Sequence, residues 1–140
     1  MAQTMKVAVM KGIGKIEMEE SPIPIPKEEE VLVRIKSVGV CGSDVHYFVE
    51  GKIGDYVVKP PFILGHECAG EVVEVGANVK SVKIEDRVTA DINISCGSCY
   101  HCRIGQKMMC KDLKQMGIHL DGAFAQYIKV PESSIYKLPE

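Results

Sequence analysis

No apolar run in this sequence approaches the roughly 18 residues that a membrane-crossing helix needs. The opening MAQTMKVAVMKG carries no apolar stretch long enough for a secretion signal. Both absences predict a cytoplasmic protein with no membrane partner, in a compartment where thiols stay reduced. Charge of one sign is also missing, since 17 basic residues stand against 19 acidic ones with no long run of either. A nucleic-acid partner normally requires a basic excess or stripe, so that class is disfavoured. A further absence is the G-x-G-x-x-G of a dinucleotide fold. GIGKIE at 12–17 holds a G-x-G, but no third glycine arrives in place and no helix follows. It reads as a hairpin turn. Internal repeats and low-complexity tracts are lacking too.

What is present is an ordinary globular composition, 46% apolar and 26% charged, over a length that suits one domain with a hydrophobic core. Thirteen glycines and seven prolines break the chain at short intervals, which excludes a helix bundle or coiled coil. Short strands dominate. MKVAVM and GKIEMEE flank Gly12–Gly14 as an opening hairpin, and SPIPIPKEEE is a connector whose acidic end reads as a solvated start of the next strand. In EVLVRIKSVGV the residues Val31, Val33 and Ile35 share one face, opposite Arg34 and Lys36. AGEVVEVG, EDRVTADI, GAFAQYIKVP and SIYKLP supply the remaining strands. SDVHYFVEG is the one convincing helix, with Ser43 or Asp44 as its cap and Gly51 as its stop. The pattern predicts a mainly β, barrel-like or sandwich-like fold with one short helix.

Residues 95–113 fit no strand period. They hold Cys96, Cys99, Cys102 and Cys110 in the spacing C-x2-C-x2-C-x7-C. Two-residue gaps let thiolates converge on one ion, and the longer loop returns the fourth to close a tetrahedron. Four thiolates leave Zn²⁺ no open position, so such a site is structural and stabilises a lobe. The first three cysteines also match the start of an iron–sulfur site, but the C-x3-C-P continuation is missing. A zinc-ribbon module that binds nucleic acid or protein would need more than the modest basic set Arg103, Lys107, Lys111 and Lys114. His101 competes poorly with four well-spaced thiols, His119 reads as a surface or turn histidine, and Met108 and Met109 as packing.

A second group lies upstream. Cys41 sits where a strand meets a glycine turn, and His66 with Glu67 follows another apolar run. Cysteine, imidazole and carboxylate are mixed ligands of the kind a catalytic zinc uses, with a position left open for substrate. Ser43 and His46 add a hydroxyl and an imidazole nearby in sequence. Cys68 is expected to point opposite Glu67 as a buried thiol.

The run Gly65-His66-Glu67-Cys68-Ala69-Gly70, followed after five residues by Gly76, resembles the zinc signature of the medium-chain, zinc-dependent alcohol dehydrogenases. CGSDVH at 41–46 and the four-cysteine lobe are similar to the same family in the same order. CGSDVHYFVEGKIGDYVVKPPFILGHE resembles the sorbitol and polyol branch most, while QMGIHLDGAFAQY is similar also to threonine and butanediol dehydrogenases. The resemblance implies an N-terminal GroES-like catalytic domain over 1–140, a partly open β-barrel with a zinc-stabilised lobe. It implies two zinc ions, one structural on Cys96, Cys99, Cys102 and Cys110, one catalytic on Cys41 and His66, with Glu67 ligating it directly or exchanging with water. Ser43 and His46 would carry the alcohol proton toward solvent, Asp44 would orient a ligand imidazole, and Tyr47 and Phe48 would lie near the substrate. The implied substrate is a small-molecule alcohol or polyol, oxidised with NAD or NADP by a homo-oligomeric full-length enzyme. The Rossmann domain and one further zinc ligand fall outside this sequence, so residues 1–140 alone are expected to be inactive.

Overall fold

A computed structural model describes residues 3–139; Met1, Ala2 and Glu140 of the expected 1–140 domain lie outside them. The opening hairpin forms as its alternation predicts. Strand β1 (Thr4–Gly12) pairs antiparallel with β2 (Lys15–Pro22) around Gly14, whose φ of 71° suits the turn. One face of β1 buries Met5, Val7 and Val9, while β2 is mostly exposed.

Strand β3 (Glu30–Gly39) is the spine of the larger sheet. Val31 and Val33 join the main core and Ile35 packs against it, as their shared face predicts. Leu32, on the other face, is buried as well. Both faces of the strand are therefore covered at this point, and the ladder with β7 is irregular between Leu32 and Val33, where β7 has the extra residue, and between Ile35 and Ser37, where β3 has it.

Helix α1 (Gly42–Glu50) follows immediately, and its start corrects the expected cap. Cys41 is the N-cap residue, not Ser43 or Asp44. Asp44 stands three positions into the helix, where its carboxylate accepts the Cys41 N–H at 2.9 Å, the return arm of a capping box. Gly51 ends the helix as expected, with φ 72° and its N–H on the Tyr47 carbonyl at 2.8 Å. Short strands β4 (Lys52–Ile53) and β5 (Tyr56–Val57) form a small hairpin, and β6 (Phe62–Ile63) pairs with β1.

Strand β7 (Glu67–Val75) runs antiparallel to β3, and β8 (Arg87–Ala90) pairs with β7. The cysteine lobe lies between β9 (Asn93–Ile94) and β10 (Lys114–Gln115), which pair with each other and close its base. Inside it stand a one-turn helix α2 (Tyr100–Arg103) and a 3₁₀ turn at Lys107–Met109, so α1 is not the only helix. Strands β11 (Tyr127–Pro131) and β12 (Ile135–Lys137) complete a five-stranded sheet in the order β11-β3-β7-β8-β12. The three-stranded sheet β2-β1-β6 stands apart from it, joined near Val7 and Ala125 by a single bridge, so the sheets do not close. The expected partly open, mainly β architecture is what forms. Among the described residues no helix is long and apolar enough to cross a membrane.

Candidate metal centres

Antiparallel pairing of β3 with β7 is what brings distant residues together. The ladder ends at the pair Gly39 and Glu67, so the chain leaving β3 at Cys41 and the chain entering β7 at His66 emerge side by side. One ligand atom from each of Cys41, His66 and Glu67 lies within 4.8 Å of the others. His66 is buried, Cys41 half-buried and Glu67 exposed, so the group faces outward on one side.

Asp44 fastens the two segments. It is 3% exposed, yet both carboxylate oxygens are used: Oδ2 accepts the Cys41 N–H at 2.9 Å and Oδ1 the Gly65 N–H at 3.1 Å. One buried anion thereby ties the start of α1 to the residue before His66. Its Oδ1 also lies 3.5 Å from His66 Nδ1, close enough for charge to act but outside hydrogen-bond geometry, since Nδ1 is buried with no partner. The other ring nitrogen, Nε2, faces the Ser43 hydroxyl at 3.4 Å. From the far side the turn at 117–124 presses on the same backbone. Gly122, Ala123 and Phe124 donate their N–H groups to Ile63, Gly65 and Leu64, at 2.7, 2.8 and 3.0 Å. Gly65 has φ 93°, and the Phe124 ring occupies the place of a side chain there, so glycine is required on both counts.

The four-cysteine group is the second centre. Its four sulfurs lie within 4.8 Å of one another, with Cys99 to Cys102 at 3.5 Å and Cys96 to Cys102 at 4.0 Å. A tetrahedral ZnS₄ site with bonds near 2.3 Å has sulfur–sulfur edges of about 3.8 Å. The thiols are free of disulfides. The Ser98 N–H, then the Cys99 N–H, draw the Cys96 thiol down to about 6. The Cys102 N–H holds Cys99 below its ordinary value. Cys110 goes the other way: the Cys96 N–H favours its thiolate, but burial and the neighbouring Cys96 and Cys102 sulfurs outweigh this and push it up to about 11. A set that resists full ionisation by mutual repulsion is one that a divalent cation completes, with release of protons.

The family model of the alcohol dehydrogenase GroES-like domain matches residues 27–140. The chain belongs to the alcohol dehydrogenase GroES-like domain family. Sorbitol dehydrogenase of Bacillus subtilis (strain 168) is 44% identical over 139 residues, 99% of this chain and 39% of that protein. L-threonine 3-dehydrogenase of Caldanaerobacter subterraneus subsp. tengcongensis is 44% identical over 131 residues, 92% of this chain and 38% of its own length. Among solved structures, the short chain alcohol dehydrogenase rspB of E. coli CFT073, complexed with NADH, superposes with a TM-score of 0.88 at 36% identity, covering 98% of this chain and 39% of that one. The chain thus spans about two fifths of the length of the relatives it matches.

Within this GroES-like domain the seven expected donors fall into the two groups described, four sulfurs in one and Cys41, His66 and Glu67 in the other. Both donor sets suit zinc, one saturated with sulfur and one mixed with a position free. His101 is half-buried on α2 and is not one of the converging donors. His119 is exposed in a turn, where its Nδ1 accepts the Gln115 N–H at 3.1 Å. Cys68 points into the main core, and burial pushes its thiol up to about 11. Ser43 adjoins the mixed group, while His46 stands out in solvent with Nδ1 3.6 Å from a Glu50 carboxylate oxygen.

Tyr47 lies on the inner side of its helix. It is 2% exposed and packs with Met10, Val58 and Leu64 beneath α1, because its place on the helix faces the core. Sequence reasoning named Asp44 for the imidazole alone. Its hold on the Cys41 and Gly65 backbones was missed, and only the capping-box spacing from Cys41 hinted at the first.

Proposed function

We propose that this chain is the catalytic domain of a zinc- and NAD(P)-dependent dehydrogenase that oxidises a secondary alcohol of a polyol to a ketone. The convergence of Cys41, His66 and Glu67 in an outward-facing mixed group is the observation that carries this reading. Its reaction is R₂CHOH + NAD(P)⁺ → R₂C=O + NAD(P)H + H⁺. Those three residues would hold a zinc ion, which when bound acts as a Lewis acid on the alcohol oxygen and lowers its pKa. The four-cysteine lobe would hold a second zinc with a purely structural role.

The chain's own residues then manage the proton. Ser43 lies beside the mixed group through His66 Nε2, and His46 stands one helical turn further along α1, with Glu50 a turn beyond. This face of the helix leads from the site to water. Ser43 takes the alcohol proton and His46, whose side chain is 63% exposed, delivers it to solvent. Asp44 keeps the ligand-bearing backbones together through the Cys41 and Gly65 N–H groups. Nicotinamide binding falls to the greater length that the curated relatives have, since residues 1–140 contain no dinucleotide fingerprint. By the same division, residues 1–140 alone are expected to show no turnover with NAD or NADP.

A second substrate reading is favoured by one observation: a threonine dehydrogenase is as similar as a sorbitol dehydrogenase, at 44% identity each. The experiment is to supply the whole protein with zinc and NAD or NADP and offer sorbitol, xylitol, 2,3-butanediol and L-threonine in parallel. Reduction of the nicotinamide with the polyols, abolished by removing the metal, is expected. Turnover of L-threonine alone moves the protein to the second reading, and turnover that survives complete metal removal overturns both.

A further inference from the structure

The end of β3 carries a glycine that its backbone does not require. Gly39 is not among the positive-φ residues, so its conformation is open to any side chain. A glycine in a strand usually weakens it, unless another group must approach closely. Gly39 stands directly opposite Glu67 in the β3–β7 ladder. A Cβ at position 39 would lie 2.6 Å from Oε2 of Glu67, 3.2 Å from its Cβ and 3.7 Å from its Cδ. Non-bonded heavy atoms prefer about 3.5–4.0 Å. The Glu67 side chain therefore lies across the space that a side chain at 39 would fill. Glu67 is exposed, and an exposed glutamate at a strand end has solvent to turn into. Here it instead lies with its carboxylate near Cys41 and His66.

We propose that Gly39 is a positioning residue of the mixed metal centre: its missing side chain is the space through which Glu67 brings its carboxylate to the ion. The proposal rests on the reading of Cys41, His66 and Glu67 as a zinc site. A methyl group at 39 turns Glu67 out to solvent and leaves Cys41 and His66 as the donors that residues 1–140 bring to this centre. Loss of the support that orients a ligand weakens a metal about 10–100-fold.

The test uses the intact protein with zinc kept in the four-cysteine lobe and Co²⁺ titrated into the second centre. Wild type, Gly39→Ala, Glu67→Ala and the double variant are compared by cobalt affinity and by the visible d–d bands, which report ligand number and type. Gly39→Ala is expected to bind about 10–100-fold more weakly and to take on the spectrum of Glu67→Ala. The double variant should be no weaker than Glu67→Ala alone. A wild type that takes up the second metal, with a Gly39→Ala variant matching it in affinity and spectrum, overturns the role of Gly39 and leaves the zinc reading standing. A wild type that takes up no second metal overturns both. Should Gly39→Ala fail to fold, the double variant decides, because Glu67→Ala removes the 2.6 Å clash. Recovery of folding supports the proposal, and continued failure overturns it.

Discussion

Replacing Asp44 by asparagine keeps the shape of the side chain and removes its charge, and with it one of two acceptors. The native carboxylate takes the Cys41 N–H at 2.9 Å and the Gly65 N–H at 3.1 Å while 3% exposed. Hydrogen bonds to a charged acceptor contribute about 1.5–3 kcal/mol each, and a buried donor left without a partner costs about 1–3 kcal/mol. Asparagine can satisfy one N–H with its carbonyl but turns an NH₂ toward the other. The relief of burying a neutral group in place of an anion offsets part of the loss. Asp44→Asn is therefore expected to lose about 2 kcal/mol of stability, and Asp44→Ala, which strands both donors, about 3–5 kcal/mol. Urea unfolding in zinc-buffered solution reads this directly: with a slope of about 2 kcal/mol per molar, the asparagine variant's midpoint falls by about 1 M at unchanged slope. The same variants should hold metal at the mixed centre about 10–100-fold more weakly, since the ligand-bearing segments lose their common anchor. An Asp44→Ala protein within about 0.5 kcal/mol of wild type, the range of an ordinary surface change, would refute the idea that this carboxylate fastens the site.

Other expectations follow from the same geometry. Cys110→Ser removes a buried sulfur from the four-cysteine set, and should lower bound zinc by one ion per chain while raising hydrogen exchange in 95–113 and sparing β1, β3 and β7. Glu132 accepts the Lys80 and Ser81 N–H groups at 2.7 and 2.5 Å, which hold its carboxyl below its ordinary value. Its contribution to stability is thus present above the unfolded carboxyl value of about 4.3 and is lost as pH falls through the lowered folded value. Glu132→Gln should flatten that part of the acid limb in unfolding measured from neutral pH downward. Glu85 sits at φ 75°, in the left-handed region. Relieving that strain, which costs a non-glycine residue about 1–2 kcal/mol, against the added chain entropy of glycine, Glu85→Gly should stabilise by about 0.5–1 kcal/mol, seen as a small rise in Tm.

Local chemistry was legible in the sequence wherever it depends on near neighbours. The turn at Gly14, the stop at Gly51 and the convergence of cysteines three positions apart need only short-range geometry, and each was read correctly. The inward face of Val31, Val33 and Ile35 followed from alternation, but the burial of Leu32 did not, because what covers the other face of a strand is not written in the strand itself. The packing of Tyr47 against Met10 and Leu64 was not legible, because it depends on how α1 rotates over elements distant in sequence. Cys41 as a helix cap defied the usual preference for serine, threonine, aspartate or asparagine, and only the Asp44 carboxylate reaching back explains it. Position 39 was silent for a related reason. Its meaning depends on a partner 28 residues away, and residue spacing alone carries no register.

The most direct test of the two-centre account is zinc counting on the purified whole protein, with the greater length that its relatives have, and on its Cys41→Ser and His66→Ala variants. The account predicts two zinc ions per chain in the wild type, and one in each variant, with the retained ion released only when the four-cysteine lobe is disrupted. One ion per chain in the wild type, or variants that still hold two, would contradict it.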